Sequence, residues 1–160
     1  MSAVEQPSRD AYRAAVLRCP ACGEAMRREA TTSAEVEVCD ACEGLWVGWF
    51  DGEVHTLAIE AEAARLERGT PPPSRPTEPT SGSRTCPQCS RPLALELYRF
   101  ADAKDDDLVT GVEVLRCADC AGAFVPRGSA HLLLDRVREG RGLTLWEVVT
   151  AFLRRVWARE

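Results

Sequence analysis

Lysine is nearly absent from this 160-residue chain: Lys104 is the only one among twenty basic residues. Histidine is almost as scarce, with His55 and His131 alone. No apolar run approaches the ~20 residues that cross a bilayer, which argues against a membrane helix. Met1 to Leu17 carries no apolar core of the kind an export signal needs, so a cytoplasmic location with reduced thiols is expected. No serine, histidine and aspartate set, no glycine-rich phosphate loop and no carboxylate pair with supporting context can be found. A thioredoxin-like redox motif would need a strand–helix–strand unit around it, and none is present. These absences point to a protein that is not an enzyme. The formal net charge of -5 is also a poor basis for general phosphate binding.

What the chain does have is eight cysteines, all of them in four C-x-x-C pairs. The pairs are Cys19/Cys22, Cys39/Cys42, Cys86/Cys89 and Cys117/Cys120. Two thiolates three residues apart can grip one ion while backbone amides of the turn point at the sulfurs. Two such corners joined by a hairpin complete a tetrahedral four-sulfur zinc site. Two zinc ions are therefore expected, one held by Cys19, Cys22, Cys39 and Cys42, the other by Cys86, Cys89, Cys117 and Cys120. Four sulfurs close the coordination sphere and leave no position for a reactive water. Eight thiolates and two dications add four negative charges, taking the loaded protein to about -9. Each unit is too small to bury a self-sufficient core, so metal is expected to decide whether it folds.

The expected fold is a small metal-bound α+β arrangement of two tandem ribbons, each a hairpin with two knuckles and a following helix. Residues 1–17 form a polar lead-in. Residues 18–68 form the first ribbon, with Val36 and Val38 on one strand face, Glu35 and Glu37 on the other, and a turn within Ala30–Ser33. Gly23 supplies a positive φ that closes its knuckle. Trp46 is expected to pack over its own hairpin. A helix from about Glu53 to Arg68, capped by Asp51 and ended by Gly69, should show solvent an acidic face. Residues 69–84, with five prolines, read as an extended linker. Residues 85–140 repeat the first unit. The first knuckle recurs at an offset of 67 and the second at 78, so the hairpin is longer by 11 residues. Its arms are placed at Leu93–Ala101 and Leu108–Arg116, around a solvated acidic tip at Asp102–Asp107. Ser129 should cap a helix from Ala130 to about Glu139. In 141–160, Thr144 and Glu147 form a capping box before an amphipathic helix striped with Trp146, Phe152 and Trp157.

Cys-Pro-x-Cys-Gly, a hairpin, Cys-x-x-Cys-x-Gly-x-Trp and then Gly-Glu opening a helix together resemble the transcription-factor-IIB-type zinc ribbon family of small bacterial proteins. The first unit follows the pattern from Cys19 to about Leu57 through Gly44, Trp46, Gly52 and Glu53, with two extra residues between Trp46 and Gly52. The second follows it more loosely, with Ser90 for glycine, Phe124 for tryptophan and Gly128-Ser129 for Gly-Glu. The resemblance implies a zinc-ribbon fold and does not fix an activity.

His55 and His131 each stand three residues after a helix-opening glycine. With four cysteines per ion, a helix-surface role is expected for both. The leading functional expectation is a non-enzymatic protein-interaction or regulatory module, with the helix 143–160 meeting a protein partner, a second copy or the other ribbon. The alternative is nucleic-acid binding: seven arginines face four acids from Arg127 onward, against ten acids and one arginine in residues 29–67. A third reading is a thiol redox sensor.

Overall fold

The computed structural model describes residues 14–74, 84–102 and 105–139. Six strands form one antiparallel sheet: β1 (Arg27–Ala30), β2 (Glu35–Val38), β3 (Leu45–Val47), β4 (Ala94–Asp102), β5 (Asp105–Arg116) and β6 (Ala123–Val125). Their spatial order is β1-β2-β3-β6-β5-β4. Each ribbon thus contributes three strands, and β3 pairs with β6 across the middle. Leu45 faces Val125, Trp46 faces Phe124 and Val47 faces Ala123. Equivalent strands paired antiparallel about equivalent residues generate a local two-fold axis between Trp46 and Phe124.

Side chains alternate between the two sheet faces, and the alternation assigns two cores. On one face lie Val36, Val38, Leu45, Val47, Val112, Val114, Ala123 and Val125. Two helices cover them, α1 (Val54–Glu67) and α2 (Arg127–Glu139), burying Val54, Leu57, Ala58, Ala61, Ala130 and Leu133. On the other face Trp46, Phe124 and Leu115 gather with Leu17, Met26, Leu93 and the buried Cys19, Cys39, Cys86 and Cys117. One continuous sheet therefore serves both ribbons.

Several expectations need correction. Asp51 is not the cap of α1. Its Oδ2 accepts from the Gly48 amide at 2.8 Å, closing the turn before the helix, while Glu53 stands at the N-cap without a side-chain bond. The helix ends near the expected place, with Gly69 at φ +84°. Its acidic face is not simply solvated: Glu60 accepts from Ser33, and Glu62 is fully buried. Thr31 and Ala34 close the first hairpin, one residue later than expected. Glu37 lies buried opposite Arg28, which donates to it at 3.1 Å.

Helix α2 begins at Arg127, earlier than expected, and Ser129 does not cap it. The Ser129 hydroxyl donates to the Glu113 carbonyl at 2.7 Å instead. In the long hairpin the strands run through most of the expected acidic tip, to Asp102 and from Asp105. The expected linker is ordered at its start, where the Pro71 carbonyl accepts from Arg127 at 2.6 Å. The lead-in before residue 14, residues 75–83 and the expected helix at 143–160 lie outside the described residues.

Candidate metal centres

Each knuckle is built by the same backbone pattern. The Cys19 amide donates to the Glu24 carbonyl and Gly23 to Cys19, both at 2.8 Å. In the second ribbon Cys86 donates to Arg91 at 2.7 Å and Ser90 to Cys86 at 2.9 Å. The second knuckles match too, with Cys39 bonded to Gly44 and Cys117 to Gly122, each at 2.9 Å. The residue after every second cysteine turns into the left-handed region: Gly23 at φ 78°, Glu43 at 60°, Ser90 at 59° and Ala121 at 57°. Only the first is glycine, so three side chains occupy a conformation costing on the order of 1 kcal/mol each.

These turns bring Cys19, Cys22, Cys39 and Cys42 together in one cluster and Cys86, Cys89, Cys117 and Cys120 in the other. Within each, the sulfurs all lie within 4.8 Å of one another. Cys19 and Cys42 approach to 3.5 Å and Cys22 and Cys39 to 3.4 Å, and the second cluster repeats these contacts at 3.5 and 3.4 Å. Four sulfurs around a zinc ion at ~2.3 Å stand roughly 3.8 Å apart, so the geometry and the all-thiolate donor set fit zinc. Two clusters provide for two zinc ions.

Protonation within a cluster is uneven. The thiol of Cys42 donating to Cys19 pulls Cys19 down to about 5, against the burial that opposes it. Cys42 moves strongly the other way for the same reason. In the second cluster the partners exchange places: Cys120 is lowered to about 5 by the bond from Cys86, and Cys86 is raised. Burial lifts Cys22 to about 11. A bound dication replaces these shared protons, so loading releases protons and weakens as pH falls.

The aromatic residues lock one cage to the other. A Cβ added at Gly122 would lie 2.3 Å from Trp46 Cζ2, and one added at Gly44 would lie 2.2 Å from Phe124 Cζ. Each ring thus rests on the bare glycine of the opposite ribbon's second knuckle. The sequence placed Trp46 over its own hairpin, whereas its ring spans the junction. The pattern Cys-x-x-Cys-x-Gly-x-aromatic, present twice, was the available signal.

Neither histidine belongs to a cysteine cluster. His55 Nδ1 bonds Tyr98 Oη at 2.9 Å, and burial holds its pKa below the usual imidazole value. His131 Nδ1 bonds Glu62 Oε1 at 3.0 Å. Both are half-buried rather than surface groups. Glu62 also receives Arg127 Nε at 3.2 Å, and Arg127 Nη1 reaches Glu43 at 2.5 Å. Arg65 donates to the Glu43 carbonyl at 2.6 Å. Burial works against the Arg127 charge, but Glu62 and Glu43 outweigh it and raise its pKa. Sequence reasoning missed this cluster altogether.

Residues 18–51 match the model of the transcription factor zinc-finger family, the TFIIB-type zinc ribbon. Over those residues the first ribbon is similar to a TFIIB-type zinc ribbon. Its matched span holds all four ligands of the first cage and ends just before α1. The second cage lies outside that span and repeats the knuckles of the first in its backbone bonds and sulfur spacing. No curated protein and no solved structure matches the chain.

Proposed function

We propose that this chain is a non-catalytic zinc-ribbon module that binds a partner protein along the β4 edge of its sheet. The observation that carries the reading is the pair Leu95 and Leu97, 54% and 49% exposed on an outer strand. Both lie on the knuckle face, since Leu95 pairs with Leu115. An outer strand offers unpaired backbone groups, and adjacent leucines offer apolar contact, which is what an added strand from a partner uses. With each cage closed by four sulfurs, zinc supplies shape rather than reactivity.

Five arginines among the described residues are paired with carboxylates, which supports a protein over a nucleic acid. Arg27 and Arg68 pair with Glu29, Arg28 with Glu37, Arg116 with Glu96, and Arg127 with Glu43 and Glu62. Guanidinium groups committed to internal carboxylates contribute little to phosphate neutralisation. The test is affinity capture from the native lysate, comparing the zinc-loaded protein with a Leu95→Glu/Leu97→Glu variant, with and without nuclease. Partners retained by the parent after nuclease and lost by the variant are expected. Capture that disappears with nuclease overturns the reading in favour of nucleic acid, and capture indifferent to the variant overturns the edge.

A further inference from the structure

Each cage is braced from outside its own ribbon. In the first, Glu43 follows Cys42 and takes a left-handed turn at φ 60°. Two buried arginines fix it there. Arg65 of α1 donates to its carbonyl at 2.6 Å, and Arg127 of α2 donates to its carboxylate at 2.5 Å. Arg127 belongs to the second ribbon, and its other nitrogens are anchored on Glu62 and the Pro71 carbonyl. Gly44 comes next. Its carbonyl accepts from the Cys39 amide, and the Phe124 ring of the second ribbon lies against its bare Cα. The second cage has the same brace in part. Trp46 of the first ribbon lies against Gly122, whose carbonyl accepts from the Cys117 amide. Ala121 has no carboxylate to offer an arginine, and its carbonyl accepts from Arg116 of its own ribbon at 3.3 Å.

We infer that the two zinc sites load cooperatively, with Arg127 acting from the second ribbon as a positioning residue for the first site. A four-sulfur cage needs its knuckles already turned, and ordering them opposes metal binding. Whichever site fills first orders the elements that brace the other. Filling the first cage fixes β3 and sets Trp46 against the knuckle at Cys117–Cys120. Filling the second fixes β6 and the start of α2, which set Phe124 and Arg127 against the knuckle at Cys39–Cys42. The second ion then meets a shaped site and binds more tightly. This coupling is a single free energy, so it is equal in either order of filling. Metal loading involves none of the β4 edge proposed above as a docking site.

The test is zinc affinity of the full chain by competition with a chromogenic chelator, with native mass measurement counting the ions. Cys117→Ser gives the constant of the first site alone, and Cys39→Ser that of the second. The overall constant for two ions in the parent is expected to exceed the product of these two by about tenfold or more. Equality overturns the inference. Repeating the three measurements on an Arg127→Gln background should shrink the excess severalfold, and an excess left intact removes Arg127 from the role. If a serine variant binds no ion at all, Glu43→Gln with all eight cysteines decides, because it frees the knuckle while α2 keeps its bond to Glu62. A severalfold weaker two-ion constant is then expected, and an unchanged one overturns the inference.

Discussion

The two ribbons share a backbone and little else. Their knuckles repeat the same amide–carbonyl bonds, yet glycine closes the turn at residue 23 and serine at residue 90. At one cross-strand position the first ribbon has the ion pair Arg28–Glu37, and the second has the apolar pair Leu95–Leu115. The first hairpin has two four-residue strands, while the second extends to nine and twelve. Chelation explains the tolerance: once four sulfurs fix a corner, the residues between them are free to diverge. What diverged is the outer surface and the chemistry under the helices.

The strongest way to break the comparison is to remove one ligand from each ribbon. Structural zinc contributes on the order of 10 kcal/mol in small modules. Cys39→Ser and Cys117→Ser should each reduce the bound metal from two ions to one by native mass measurement. Because β3 and β6 share a sheet, each loss should also lower the melting temperature of the other half. Unchanged melting there would mean two independent modules. Next in size is the ionic asymmetry. Glu62→Ala removes the buried carboxylate on which Arg127 and His131 converge, while Glu43 still pairs with Arg127, and should cost about 1–3 kcal/mol in urea unfolding. Glu96→Ala, which removes a half-exposed partner of Arg116, should cost under about 1 kcal/mol. Equal costs would show that the two helix starts do not differ energetically.

The aromatic lock should behave symmetrically. Gly44→Ala and Gly122→Ala each force a Cβ into a buried ring and should cost about 1–3 kcal/mol, read by the same unfolding experiment. The knuckle turns predict gains of opposite pattern. Ser90→Gly and Ala121→Gly relieve left-handed backbone and should stabilise by about 1 kcal/mol. Gly23→Ala should lose a similar amount by strain alone, since a Cβ there meets nothing within 4 Å.

The smallest effect is one of pH. Burial lowers the His55 pKa from 6.5. The unfolded chain therefore binds this proton more readily, and stability should fall as pH drops below about 6.5. His55→Phe should flatten that slope in thermal melts across the interval, and an unaltered slope would refute the assignment.

The cages were legible because chelation spacing is local: C-x-x-C carries its geometry in four residues. The start and end of α1 were nearly legible for the same reason, through Gly52 and Gly69. The junction was not. Strands β3 and β6 are three residues each, too short for a periodic signal, and their pairing depends on contacts between residues about 80 apart in sequence. Glu62 reads as one more acid on a solvated helix face until α2 brings Arg127 and His131 against it. Leu95 and Leu97 mislead in the other direction. Their alternation marks one apolar strand face, but β4 is the outermost strand and among the described residues nothing covers that face of it.

The antiparallel meeting of β3 with β6 has one further implication. Nothing in that seam requires the two halves to be joined by a peptide bond: each ring needs only a bare glycine across from it, and each half has both. An ancestor with a single ribbon could have closed the same seam between two separate molecules, Trp46 of one resting on Gly44 of its twin. Fusion would then have released the twins from identity, leaving one copy to keep the family pattern while the other lengthened its arms.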